Sequence, residues 1–120
     1  MNSWLAVAVG GALGAMLRFG ITEWLNSETN PWGTLTVNIV GSLLLGITMA
    51  ALANEIISND FAILFGSGLL GAFTTMSTFS LETVKMWEGS PSMAVGYVAI
   101  TMIACPMLAF AGWKVTELTI

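Results

Sequence analysis

Five hydroxyl side chains fall within seven positions, Thr74, Thr75, Ser77, Thr78 and Ser80, in a stretch otherwise apolar enough to cross a bilayer. A membrane interior offers no water to satisfy hydroxyls or a loosened backbone, so such a cluster is expected only against protein or along a wet pathway. Residues 71 to 80 are therefore where function is to be sought. Two further polar stripes share the spacing of a helix face. Thr34, Asn38 and Ser42 recur at intervals of four, and so do Tyr97, Thr101 and Cys105. Serine and threonine can return their hydroxyls to their own helix carbonyls, but the Asn38 amide brings two donors and an acceptor that all need partners. An interhelical hydrogen bond and a pore lining are both open readings for it. Brought together, the two faces would make a continuous hydrogen-bonding track. Bond-breaking chemistry has no support, since the chain has no His, no nucleophile paired with a base and no metal-ligand cluster.

The elements that must carry these side chains follow from composition. With 120 residues, 56% hydrophobic and 8% charged, the chain reads as an all-α integral membrane protein. Uncharged runs cover 1–17, 29–54, 61–81 and 89–113, and a helix needs roughly 20 apolar residues to span the hydrocarbon core. A single four-helix transmembrane domain over 1–120 is predicted, with spans at about 3–25, 31–54, 61–87 and 91–116. The amino terminus lacks the basic stretch and small-residue cleavage site of a secretory signal, so the first span is expected to be retained. Cys105 stands alone inside the fourth span, and a net charge of −4 without a basic cluster gives no sign of nucleic-acid or anionic-lipid recognition.

Each span has its own punctuation. Gly10 and Gly14 lie on one face of the first, where another backbone could approach closely. Arg18 stands about 22 Å along that span, where snorkelling to the interface and a place in an anion vestibule are both open readings. Thr29 or Asn30 is the expected N-cap of the second span, with Pro31 in its first turn, and Ser90 followed by Pro91 opens the fourth. Pro106 should bend the fourth span and free a carbonyl one turn earlier. An unbroken third helix would run about 40 Å, longer than the core of roughly 30 Å. A break near the midplane is the economical answer, with Gly66, Gly68 and Gly71 supplying the backbone freedom, although a tilted intact helix is the competing possibility. Only Arg18, Lys85 and Lys114 are basic, so the positive-inside rule has little to count. Opposed insertion and pairing into an antiparallel dimer are expected.

At this point the residues match a family. Pro31-Trp-Gly-Thr-Leu-Thr-Val-Asn38, Gly41, and Gly71-Ala-Phe-Thr-Thr-Met-Ser-Thr-Phe-Ser80 followed by Glu82 resemble the Fluc (CrcB) fluoride channels. The likeness extends across the chain, from the glycine-rich first span ending in Arg18 to Tyr97 and Thr101 in the fourth. It implies a passive, fluoride-selective channel in the bacterial plasma (inner) membrane. It also implies an antiparallel, dual-topology homodimer with two pores, and a structural sodium ion held by carbonyls at the third-helix breaks. Carried over, Asn38 would line the pore and Phe79 would present a ring edge to fluoride. Met76, Ser77, Thr78 and Ser80 would belong to the pore motif, with Tyr97 and Thr101 continuing the track. The carbonyls of Gly71 and Thr74 would bind sodium. The departure is Met76, where the family usually has its first pore phenylalanine; a thioether offers no electropositive edge.

The chemistry implied is coherent. Fluoride holds its water strongly, so neutral amide protons, hydroxyls and a ring edge must replace that shell without trapping the ion as a fixed Lys or Arg would. Two rivals stand beside this reading. A small dual-topology, proton-coupled multidrug exporter would need a carboxylate deep in its first span, where only Glu23 occurs, near the end. A non-transporting helical partner would use the glycines and hydroxyls for assembly alone.

Overall fold

Four helices long and apolar enough to cross a membrane, Ser3–Leu25, Trp32–Ala53, Asn59–Gly89 and Pro91–Thr119, account for most of the chain. The computed structural model describes residues 2–120. Span limits agree with those read from the sequence to within about two residues, apart from a fourth span that runs three residues further, to Thr119. Asn2 caps the first span by accepting from the Trp4 and Leu5 N–H groups. Ser90 caps the fourth, accepting from Met93 N–H at 3.4 Å, with Pro91 in its first turn.

The second span starts differently from expectation. Neither Thr29 nor Asn30 caps it; Pro31 occupies the cap position and offers no side-chain acceptor. The acceptor comes from a distance. Asn26 Oδ1, one residue past the end of the first span, takes the N–H groups of Gly33 at 2.7 Å and Thr34 at 3.1 Å. Helix starts need such an acceptor, and any chemically suited oxygen that folding brings there will serve.

The third span is broken. After a short α-turn, Asn59–Phe61, it winds as a π-helix over Ala62–Leu70 and returns to α over Gly71–Phe73. Thr74 (φ −84°, ψ 155°) and Thr75 (φ −149°, ψ 119°) are extended, and Met76–Gly89 forms the second half-helix. The break thus lies midway along the span, as expected, but not for the expected reason. No described glycine has a positive φ, and the two broken residues adopt backbone angles open to any side chain. Of the glycines preceding it, Gly68 serves close packing instead. A Cβ there would meet Gly10 Cα at 3.1 Å and the Ala6 carbonyl at 3.2 Å.

Span one lies along the first half of span three, with Gly10 and Gly14 so close to the Leu64 and Leu69 carbonyls that a Cβ at either would collide. Span two packs on span four the same way, Gly46 against the Ala109 carbonyl. Val37, Leu70 and Phe73 form the buried core between spans two and three. The broken residues follow directly after Phe73 of this core, next to the first half of span three on which spans one and two pack.

Candidate functional site

An interrupted helix leaves backbone groups without their regular partners. In a continuous helix Thr75 N–H would reach the Gly71 carbonyl and Thr78 N–H the Thr74 carbonyl. Here Thr75 N–H donates to Asn38 Oδ1 at 2.8 Å, and Asn38 Nδ2 donates to the Thr75 carbonyl at 3.1 Å. Thr78 N–H turns to Thr75 Oγ1 at 3.2 Å, which makes Thr75 the N-cap of the second half-helix. Arg18 Nε–H donates 3.2 Å to the Ala72 carbonyl, at the end of the first half-helix. Two side chains from neighbouring spans therefore fasten the break, and the Gly71 and Thr74 carbonyls lose their helical donors.

The hydroxyl cluster divides accordingly. Thr75 and Thr78 share a hydrogen bond at 3.2 Å, with Ser77 at 3.4 Å from Thr75, so these belong to the cap. Ser80 returns its hydroxyl to the Met76 carbonyl at 2.8 Å. Ser77 and Ser80 are exposed on the outer face of the chain.

The two polar stripes do meet. A groove of about 280 Å³ is lined by Asn38 and Ser42 from span two, Thr74, Thr75, Met76 and Phe79 at the break, and Thr101, Met102, Cys105 and Pro106 from span four. Phe79 is 5% exposed, whereas Met76, at 62%, lies open at the edge. The Thr101 hydroxyl oxygen is buried without a hydrogen-bond partner among the described residues. A donor in that condition is costly unless something else comes to it. The positive end of the second half-helix opens at the same groove, since its cap Thr75 and first residue Met76 both line it.

Tyr97 sits one turn before Thr101 and meets Phe79 edge to face, with ring centroids 4.9 Å apart. Its hydroxyl donates to Glu82 Oε1 at 3.3 Å, while Glu82 Oε2 accepts from Thr34 Oγ1 and Asn26 Nδ2, each at 3.0 Å. Glu82 also lines a wider cleft of about 470 Å³, formed with Ser27–Pro31, Lys85, Met86, Gly89, Ser90 and Met93. Groove and cleft are thus joined through Phe79, Tyr97 and Glu82. Arg18 lines neither.

Sequence reasoning named Asn38, Met76, Phe79, Tyr97 and Thr101, which the fold brings together along this line. It gave no role to Glu82, named only as following the hydroxyl motif, and none to Asn26. The one available signal was Glu82 directly following the hydroxyl motif. For Asn26 there was none, because its partners lie 7 to 56 residues away.

Comparison with known proteins agrees with the motif. The family profile described as "CrcB-like protein, Camphor Resistance (CrcB)" matches residues 5–113. The chain is 42% identical over 112 residues to the fluoride-specific ion channel FluC 2 of Bacillus subtilis, covering 93% of this chain and 86% of the relative. It is 43% identical over 112 residues to the fluoride-specific ion channel FluC of Bordetella petrii, covering 92% and 88%. A FluC of the same description from Thermotoga petrophila is 40% identical over 114 residues, with coverage of 91% and 90%.

Proposed function

This chain belongs to the CrcB family, and from that premise we propose that it is the subunit of a passive, fluoride-selective channel rather than an enzyme. Its assembly is an antiparallel homodimer with two pores in the bacterial inner membrane, passing fluoride out down its gradient. The unpartnered Thr101 hydroxyl supports this best. It is buried beside the groove that also holds the Phe79 ring and the start of the second half-helix.

An anion entering that groove exchanges water for neutral donors: the Thr101 hydroxyl, the electropositive edge of Phe79 and the positive helix end. Asn38 fixes the break with one amide N–H and offers the other to the path. None of these is a fixed charge, so the ion can leave. A small ion keeps all the contacts at once; chloride, being larger, cannot. The exposed Gly71, Met76, Ser77 and Ser80 form the face that a second copy completes.

A sodium ion suits the same break. The Gly71 and Thr74 carbonyls have lost their helical donors to Asn38 and to the Thr75 cap, which leaves hard oxygen ligands of the right kind, two from each subunit. Bound there, the cation would neutralise the carbonyl dipoles and add a positive field. Exchange of all sodium for a bulky organic cation during purification is expected to weaken the dimer and the flux; no change in either would remove this role.

The proton-coupled exporter is not favoured, because the relatives above carry a channel name and Glu82 is tied down by three hydrogen bonds. The test is efflux from liposomes read by a fluoride electrode. Fluoride should leave rapidly without a proton gradient, and far faster than chloride. Equal rates for the two halides would refute selectivity.

A further inference from the structure

We propose that Asn26 is a positioning residue for conduction, whose carboxamide holds the Glu82 carboxylate on the cleft side of Tyr97 and so keeps its charge out of the groove. The inference rests on the channel reading above. Asn26 Oδ1 is fixed by two backbone donors, Gly33 N–H and Thr34 N–H, which leaves Nδ2 only one way to point. Nδ2 then donates to Glu82 Oε2 at 3.0 Å and to Thr34 Oγ1 at 3.2 Å, and Thr34 passes a second hydrogen bond to the same Oε2. Gly33 permits the approach, since a Cβ there would lie 2.9 Å from Asn26 Oδ1.

One side chain therefore ties the end of span one to the start of span two and to the second half of span three. Through Glu82 it also reaches Tyr97 on span four. The charged groups sharing the cleft with Glu82 are Lys85 from the same half-helix and Glu28 from the loop. The carboxylate's hydrogen bonds come instead from Asn26, Thr34 and Tyr97, which set its direction. Freed from Asn26, one of its three donors, and held less firmly by Thr34, the carboxylate would be able to swing past Tyr97 toward the groove, where it would oppose an anion.

Asn26→Asp separates this role from capping. Aspartate keeps an acceptor for Gly33 and Thr34 and suits a helix start, so the folded dimer and its thermal midpoint should be retained. It also sets a carboxylate against Glu82, and flux at neutral pH should fall by about tenfold or more. The decisive reading is the effect of Glu82→Gln in each background. It should slow the wild type, whose donors match a carboxylate, yet speed Asn26→Asp, where the introduced carboxamide can donate back to the introduced carboxylate. Thr34→Val, close in volume, removes the other Oε2 donor and should slow flux about threefold. Wild-type rates in Asn26→Asp, slowing by Glu82→Gln in both backgrounds, or unchanged flux in Thr34→Val would each overturn the proposal. A wild type that releases no fluoride would instead defeat the channel reading.

Discussion

Two buried polar side chains that line the groove beside the break have opposite relations to their surroundings. Asn38, 7% exposed, both accepts from and donates to Thr75, and removing it would orphan a backbone N–H and a carbonyl together. Thr101, 4% exposed, has no partner to lose among the described residues. Unsatisfied buried groups cost about 1–3 kcal/mol each. Asn38→Ala is therefore expected to lower stability by about 2 kcal/mol or more and to abolish flux with it. Thr101→Val should leave stability unchanged or slightly higher while still slowing fluoride. Thermal midpoints in detergent and electrode efflux, measured on the same preparations, separate the two; a Thr101→Val protein that loses stability would mean its hydroxyl is structural. The sequence showed that Asn38 needed partners and left open which ones. Its partner is main chain that becomes free only because the helix breaks, and a residue type cannot announce that in advance.

At the scale of elements, apolar run length was enough to place the spans, because length against bilayer thickness is a one-dimensional property of the chain. What escaped was whatever depends on a neighbour. The acceptor for the second span comes from Asn26 instead of Thr29 or Asn30, and the π-helical turn over Ala62–Leu70 left no mark in residue type. The glycines were legible as a group yet not in their use. Close approach explains Gly10, Gly14 and Gly68, whereas the break itself is made of threonines. This distinction is measurable. A methyl at Gly14 meets the Leu69 carbonyl and must push spans one and three apart, so Gly14→Ala should cost about 1–3 kcal/mol. At Gly11 the nearest atom to a new Cβ is the Gly68 carbonyl oxygen, 3.9 Å away, an ordinary contact. Gly11→Ala should be neutral or gain up to about 1 kcal/mol from helix propensity. Equal losses at both positions would show that the interface is looser than the glycine contacts imply.

On the scale of the whole molecule the protein is a slab of 47 × 31 × 19 Å, its long dimension matched to a bilayer of about 45 Å including headgroups. Its charges hardly distinguish one end from the other. Arg18 and Lys85 lie toward the end that carries the 26–31 loop, and Lys114, paired with Glu117 at 3.2 Å, lies toward the other. Loop charge sets orientation through Lys and Arg close to the spans, and a near balance is what the proposed insertion in both directions calls for. Antiparallel pairing, as proposed, requires that balance, because each copy must find an opposite. Three lysines added after Ile120 should fix the C-terminus on the cytoplasmic side, and Glu23→Lys with Glu88→Lys, both at exposed positions, should fix the reverse. Either biased chain expressed alone is then expected to lose most fluoride resistance in cells. The two expressed together should regain it, since each supplies the other's missing orientation. Accessibility of a terminal tag on the two sides of the membrane checks that the bias was achieved. A uniformly oriented chain that protects cells as well as the parent would show that its pores form without an inverted partner.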